Sequence, residues 1–317
     1  MSSVLFLFLG FLLLFLGGEI LVRGSVSLAL RMKISTLVVG MTVVAFATSA
    51  PELFVSLKAI SENSSNIALG NSIGSNIANI ALVLGFTAMI FRVRISAQTL
   101  SLNYPVMLAA SFLLGLVLYF FKGIPVYFGF LFVGILLLFV GLLIVASRKQ
   151  HIESEDAVKS LYETPNDSLL KSILFLIAGI FLLKYGADFL VDSTKILANM
   201  FGVSDRVIAV TAVAIGTSIP ELATSIIAAL KKEENLAIGN LIGSNVFNIL
   251  AVLGITAVFK EINIDDAAIL EFDYLWMMLI TLLLGLLIYM FSKQQISRKE
   301  GALLVALYFC YIYSILA

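Results

Sequence analysis

The sequence predicts an all-α integral membrane protein with ten transmembrane helices, arranged as two inverted five-helix repeats. Three observations lead there. Of its 317 residues 61% are hydrophobic and only 13% charged, against about 25% charged in a typical soluble domain, so lipid is the solvent for most of the chain. The apolar residues gather in runs of roughly 20 or more, the length a helix needs to cross a bilayer. Finally, Ala47-Thr48-Ser49-Ala50-Pro51-Glu52-Leu53 returns as Gly216-Thr217-Ser218-Ile219-Pro220-Glu221-Leu222, each time inside an apolar run.

The first run, near 4–31, has no basic segment before it and stays apolar beyond the core of a signal peptide, so it reads as a spanning helix. Further helices are expected near 36–60, 65–91, 103–121 and 125–147. A hydrophilic stretch follows, with Arg148, Lys149, His151, scattered acids and Pro165-Asn166-Asp167, and it reads as a linker. Helices resume near 169–199, 206–230, 235–259, 272–291 and 301–316. The expected organisation is a first repeat over 1–147, a linker over 148–168 and a second repeat over 169–317.

Glu52 and Glu221 stand 169 residues apart, and that offset holds for Gly17 and Gly186, Thr42 and Thr211, Gly70-Asn71 and Gly239-Asn240, Gly74-Ser75-Asn76 and Gly243-Ser244-Asn245, and Asn79 and Asn248. Roughly four positions in ten are identical, which makes a duplication, and an odd number of helices per copy turns the second upside down. Charge placement agrees. Arg31, Lys33, Arg92, Arg94, Arg148, Lys149, Lys159, Lys231, Lys232, Lys293, Arg298 and Lys299 follow the odd-numbered helices, while the other side holds only Lys58, Lys122, Arg206 and Lys260. Cytoplasmic loops collect Lys and Arg, so a multi-pass cell-membrane protein is expected with both termini outside and the linker cytoplasmic.

Formal charge is balanced, and no basic block suggests nucleic acid as a partner. Cys310 reads as a small core residue, His151 as a solvated linker residue, and Tyr274 and Trp276 as interfacial anchors or lipid-facing bulk. Glu19 and Arg23, like Lys184 and Asp188, are spaced for intrahelical pairing; alternatively Glu19, Asp188 and Asp192 border aqueous vestibules and attract cations.

A carboxylate at membrane depth costs roughly 2.5–3.5 kcal/mol or more and defaults to a functional reading. Each Thr-Ser-x-Pro-Glu segment adds hydroxyls and a helix breaker. Proline has no N–H, so Pro51 frees the carbonyl of Ala47 and Pro220 that of Gly216. Carbonyl, hydroxyl and carboxylate together form an all-oxygen set, which hard cations prefer, whereas zinc and copper favour Cys and His. The second motif of each repeat, Gly70 to Asn79 and Gly239 to Asn248, offers Gly70 and Gly74 for close helix approach. It also puts Ser75 with Asn79, and Ser244 with Asn248, one turn apart on a shared face.

These residues resemble the alpha repeats of the sodium/calcium exchangers in the cation/calcium antiporter superfamily, in particular its small prokaryotic members. The resemblance covers both repeats and the frame around them. It implies a transporter, not an enzyme, with no cofactor, that exchanges Ca²⁺ for Na⁺ by alternating access and normally extrudes Ca²⁺, with the first and sixth helices sliding against a fixed core. The ligands it implies are Thr48, Ser49, Glu52, Ser75 and Asn79 from the first half and Thr217, Ser218, Glu221 and Ser244 from the second, with the carbonyls of Ala45 and Ala214. Many exchangers of this family carry Asp where this chain has Asn248, which keeps an amide oxygen but no charge. Potassium dependence is correspondingly not expected. The functional unit is expected to be a monomer in the lipid bilayer.

With Glu52 and Glu221 the only acids, the site carries a formal charge of −2; one Ca²⁺ neutralises it and three Na⁺ bring it to +1. Two bare carboxylates in a poorly hydrated cavity are unfavourable, so cations or protons must fill it. Proton-coupled exchange on the same scaffold is the nearest alternative. A passive channel would need rings of acids around a pore.

Overall fold

Lipid offers the backbone no hydrogen-bond partners, so each apolar run must satisfy its own N–H and C=O groups as a helix. In a computed structural model that describes residues 2–153, 168–200, 216, 218–264, 266–291 and 294–316, the runs do so. The helices are α1 (Ser2–Met32), α2 (Thr36–Thr48), α3 (Ala50–Ser61), α4 (Ser65–Ile90), α5 (Thr99–Phe121), α6 (Val126–Glu153), α7 (Leu169–Met200), α8 (Ile219–Leu230), α9 (Glu234–Phe259), α10 (Ile269–Phe291) and α11 (Arg298–Leu316). Among the described residues seven helices are long and apolar enough to span a bilayer, or eight if α2 and α3 are one broken span. This is an all-helical, multi-pass membrane protein.

Burial ranks the helices. The richest window of α9 is 89% buried and that of α4 72%, against 33% for α1 and 28% each for α6 and α7. Thus α4 and α9 form the centre, and α1 with α7 makes a long peripheral pair, joined where the Ser27 and Ser172 hydroxyls meet at 2.7 Å. Across the middle, α5 and α10 exchange equivalent bonds: the Tyr104 hydroxyl donates to the Thr281 carbonyl at 2.9 Å and the Tyr274 hydroxyl to the Ser111 carbonyl at 3.2 Å. Four two-residue strands tie the ends: β1 (Val93–Arg94) pairs antiparallel with β4 (Gln295–Ile296), and β2 (Gly123–Ile124) with β3 (Ile262–Asn263).

Several expectations change. The strands qualify the all-α reading, because two residues are too few to leave a period in the sequence. Arg148 to Glu153 continue α6 past the expected end at 147; no Gly or Pro stands there to stop a helix entering water. Tyr274 is buried with its hydroxyl bonded, so it is no interfacial anchor. Cys310 is exposed and therefore not a core residue. Glu19 pairs with Lys231, the residue after α8, a partner that local spacing could not reveal, while Lys184 and Asp188 pair as expected at 3.1 Å. Arg206 and Lys293 lie outside the described residues.

Candidate ion site

Proline builds the same local geometry twice. At Ser49 the chain leaves helical angles (φ −85°, ψ 1°) and α2 bends into α3 by 41°; at Ser218, just before α8, the angles are −91° and 0°. Pro51 and Pro220 then occupy the opening turn of the new helix, with Glu52 and Glu221 beside them. First-turn N–H groups lack helical partners and carry the positive end of the helix dipole, which favours a carboxylate there. Both acids are fully enclosed, at 1% and 0% exposure.

Opposite each kink runs a central helix bearing the amide and hydroxyl stripe. From α4, the Ser75 hydroxyl reaches Glu52 Oε1 at 3.4 Å, and the Asn71 amide donates to the Glu52 carbonyl and the Ser56 hydroxyl, both at 3.1 Å. From α9, Asn240 Oδ1 accepts from the Thr48 hydroxyl at 3.2 Å, and Ser244 Oγ lies 3.3 Å from the same hydroxyl. Thr48 therefore joins one half of the chain to the other. The Asn248 amide donates to Asn76 Oδ1 at 3.1 Å, and the Asn76 amide to the Asn245 carbonyl at 3.3 Å. Asn79 and Asn248 stand at the start of π-type segments, as the second residue of Ala78–Leu84 and the first of Asn248–Leu253. Such wider turns free backbone groups and recur at functional sites.

Ser49 Oγ, Glu52 Oε2, Asn79 Oδ1, Ser218 Oγ, both Glu221 carboxylate oxygens and Asn248 Oδ1 are buried without a partner among the described residues. Buried polar atoms are normally satisfied, so this concentration of orphaned oxygens fits a hard cation. Among the described residues no three His, Cys, Asp or Glu side chains converge; neutral oxygens must supply the rest of the shell. The Ala45 carbonyl, also expected as a ligand, accepts from the Ser49 N–H at 2.9 Å and lies 3.4 Å from the Thr48 hydroxyl. Thr217 and Ala214 lie outside the described residues.

An apolar cavity of about 200 Å³ flanks the kink, walled by Pro51 and Phe54 of α3, Ile180 and Phe181 of α7, Thr48 and Pro220. The sequence reading missed Asn240, one turn before Ser244, together with its counterpart Asn71 before Ser75. The signal was present, since Asn71, Ser75 and Asn79 recur every four residues along one helix face.

The model of the family described as sodium/calcium exchanger protein matches residues 2–145 and 171–317. A putative antiporter, CaxA of Alkalimonas amylolytica, is 35% identical over 98% of both chains, and the sodium/calcium exchanger MaX1 of Methanosarcina acetivorans is 28% identical over 98% of this chain and 97% of its own. A solved structure of the sodium-calcium exchanger NCX_Mj superposes with a TM-score of 0.82 at 29% identity, covering 98% of each chain. Exchangers are transporters and not enzymes. The match takes in both repeated motifs and nearly all of the surrounding helices, and the chain is a member of the sodium/calcium exchanger family.

Proposed function

We propose that the protein extrudes Ca²⁺ in exchange for Na⁺ by alternating access, with Glu52 and Glu221 as the charged ligands of one shared ion site. The observation that carries this reading is the pair of buried carboxylates from opposite halves, bridged by Thr48 of the first half against Ser244 and Asn240 of the second. The remaining ligands are Ser49, Ser75, Asn79, Ser218, Ser244 and Asn248, with Thr48, Thr217 and the carbonyls of Ala45 and Ala214. Ca²⁺ and Na⁺ compete for these oxygens: one Ca²⁺ neutralises the two acids, and several Na⁺ do so piecemeal, so downhill Na⁺ entry displaces Ca²⁺. The fold we assign is ten spans in two inverted repeats, 1–147 and 169–317, with the linker cytoplasmic, both termini outside and one chain as the functional unit. The exchanged Tyr104 and Tyr274 bonds and the two strand pairs support that symmetry.

Calcium uptake into proteoliposomes loaded with Na⁺ tests the reading. Wild type should accumulate ⁴⁵Ca, and Glu52→Gln or Glu221→Gln should abolish accumulation while leaving a folded, monodisperse protein. Wild-type flux in either variant overturns the site. Uptake driven by a pH gradient with no Na⁺ present would move the coupling ion to the proton.

A further inference from the structure

At the end of the molecule that carries β1 and β4, the last turns of α4 and α8 and the first turns of α9 and α11 enclose a cavity of about 340 Å³. Arg92, Lys232 and Arg298 line it, against one acid, Glu234. That acid is engaged: Glu234 Oε2 accepts from the Arg94 backbone N–H at 3.3 Å. Arg298 is steered to the cavity by a 3.2 Å bond to a neutral acceptor, the Ile90 carbonyl. The Arg92 and Lys232 side chains make no hydrogen bond or ion pair among the described residues. Three positive charges thus line the cavity against one carboxylate, an excess of two. Between them the wall is apolar, through Phe91 and Leu230, and Leu230 is 54% exposed on the outer face of α8.

The chain contains its own comparison for this place. At the repeat offset Arg92 becomes Glu261, Lys232 becomes Asn63 and Glu234 becomes Ser65, while Arg298, the first residue of α11, corresponds to Val126, the first of α6. The scaffold folds there without the three cations, so the fold itself does not demand them. A net excess of cations beside an exposed apolar wall matches a phosphate ester with acyl chains attached.

We propose that this cavity binds the headgroup phosphate of an anionic phospholipid, with Arg92, Lys232 and Arg298 around the phosphate and the acyl chains along Phe91 and Leu230. The site is separate from the ion site and does not depend on which ions are carried.

The test uses the full chain in phosphatidylcholine nanodiscs titrated with phosphatidylglycerol, counting retained lipid by native mass spectrometry. Retention should fall about fivefold for each cation removed, first in Arg92→Gln alone, whose side chain is exposed and unpaired, and further in the Arg92→Gln/Lys232→Gln/Arg298→Gln variant. Arg92→Lys with Arg298→Lys should keep most of it. The opposite-face control, Lys58→Gln/Lys122→Gln/Lys260→Gln, should match wild type. Wild-type retention in both the single and triple variants overturns the proposal. So does equal loss in the control, or stabilisation by inorganic phosphate in pure phosphatidylcholine equal to that by phosphatidylglycerol.

Discussion

In the proposed ion site the neutral Asn248 leaves the formal charge at −2, and its environment is arranged for an amide. Its N–H donates to Asn76 Oδ1, and Asn76 in turn spends its own amide on the Asn245 carbonyl, so a carboxylate at 248 would face an acceptor. Asn248→Asp loses one bond and adds a third buried charge, which costs about 1–3 kcal/mol for the orphaned group. We expect it to melt about 2–10 °C lower than wild type in ion-free buffer and to recover as Ca²⁺ is added, since the cation neutralises the new charge. A thermal-shift series against Ca²⁺ checks this; equal melting in ion-free buffer would contradict it. At this scale the sequence was partly legible. Buried acids announce themselves through their cost in lipid, and Glu52 and Glu221 were readable for that reason. Tyr274 was not, because a tyrosine near a helix end looks the same whether its hydroxyl meets water or a carbonyl of another helix.

At the scale of elements, the distance between α2 and α9 decides whether Thr48 can reach Ser244. The two helices cross backbone to backbone: a Cβ added at Gly40 would come within 2.6 Å of the Leu236 carbonyl, and one at Gly239 within 2.5 Å of the Leu37 carbonyl. Gly239→Leu must push them apart. It should cost about 1–3 kcal/mol through overpacking and raise the Ca²⁺ concentration for half-maximal uptake, because the Thr48 bonds to Asn240 and Ser244 stretch. Gly134→Leu on the outer face of α6, where an added Cβ meets nothing within 4 Å among the described residues, should alter neither melting nor uptake. Equal effects of the two substitutions would remove the crossing from the account. The expected approach at Gly70 and Gly74 belongs to the same offset, but the counterparts of Leu37 and Met41 are Arg206 and Val210, which lie outside the described residues. Periodicity and the proline placed these helices and their kink in advance. The π-type segments were invisible, since one extra residue per turn leaves no compositional trace.

For the whole molecule, duplication was legible and interlacing was not. The repeat offset says nothing about which helices touch, yet α4 meets α11 where Gly85 and Gly301 pack, and α9 meets α6 where Gly254 and Gly129 pack. Each central helix therefore leans on the last helix of the opposite half, and the β1–β4 and β2–β3 pairs tie the same partners. That frame is cross-braced, whereas α1 and α7 pack chiefly on each other and are mostly exposed. One polar tie from this pair to the rest of the molecule is the Glu19–Lys231 ion pair, with both side chains partly exposed. Pairs of that kind contribute about 0–1 kcal/mol, weak enough to break in every cycle if α1 and α7 slide as one body. In a Cys310→Ser background, a Ser27→Cys/Ser172→Cys disulfide replaces two hydroxyls that meet at 2.7 Å within the pair. It should leave Na⁺-driven Ca²⁺ uptake near the wild-type rate. Glu19→Cys/Lys231→Cys joined by a bifunctional maleimide fastens α1 to α8 and should stop uptake, with the unlinked double variant still active. Arrest by the disulfide, or free transport through the maleimide bridge, would mean that the moving boundary runs elsewhere in the molecule.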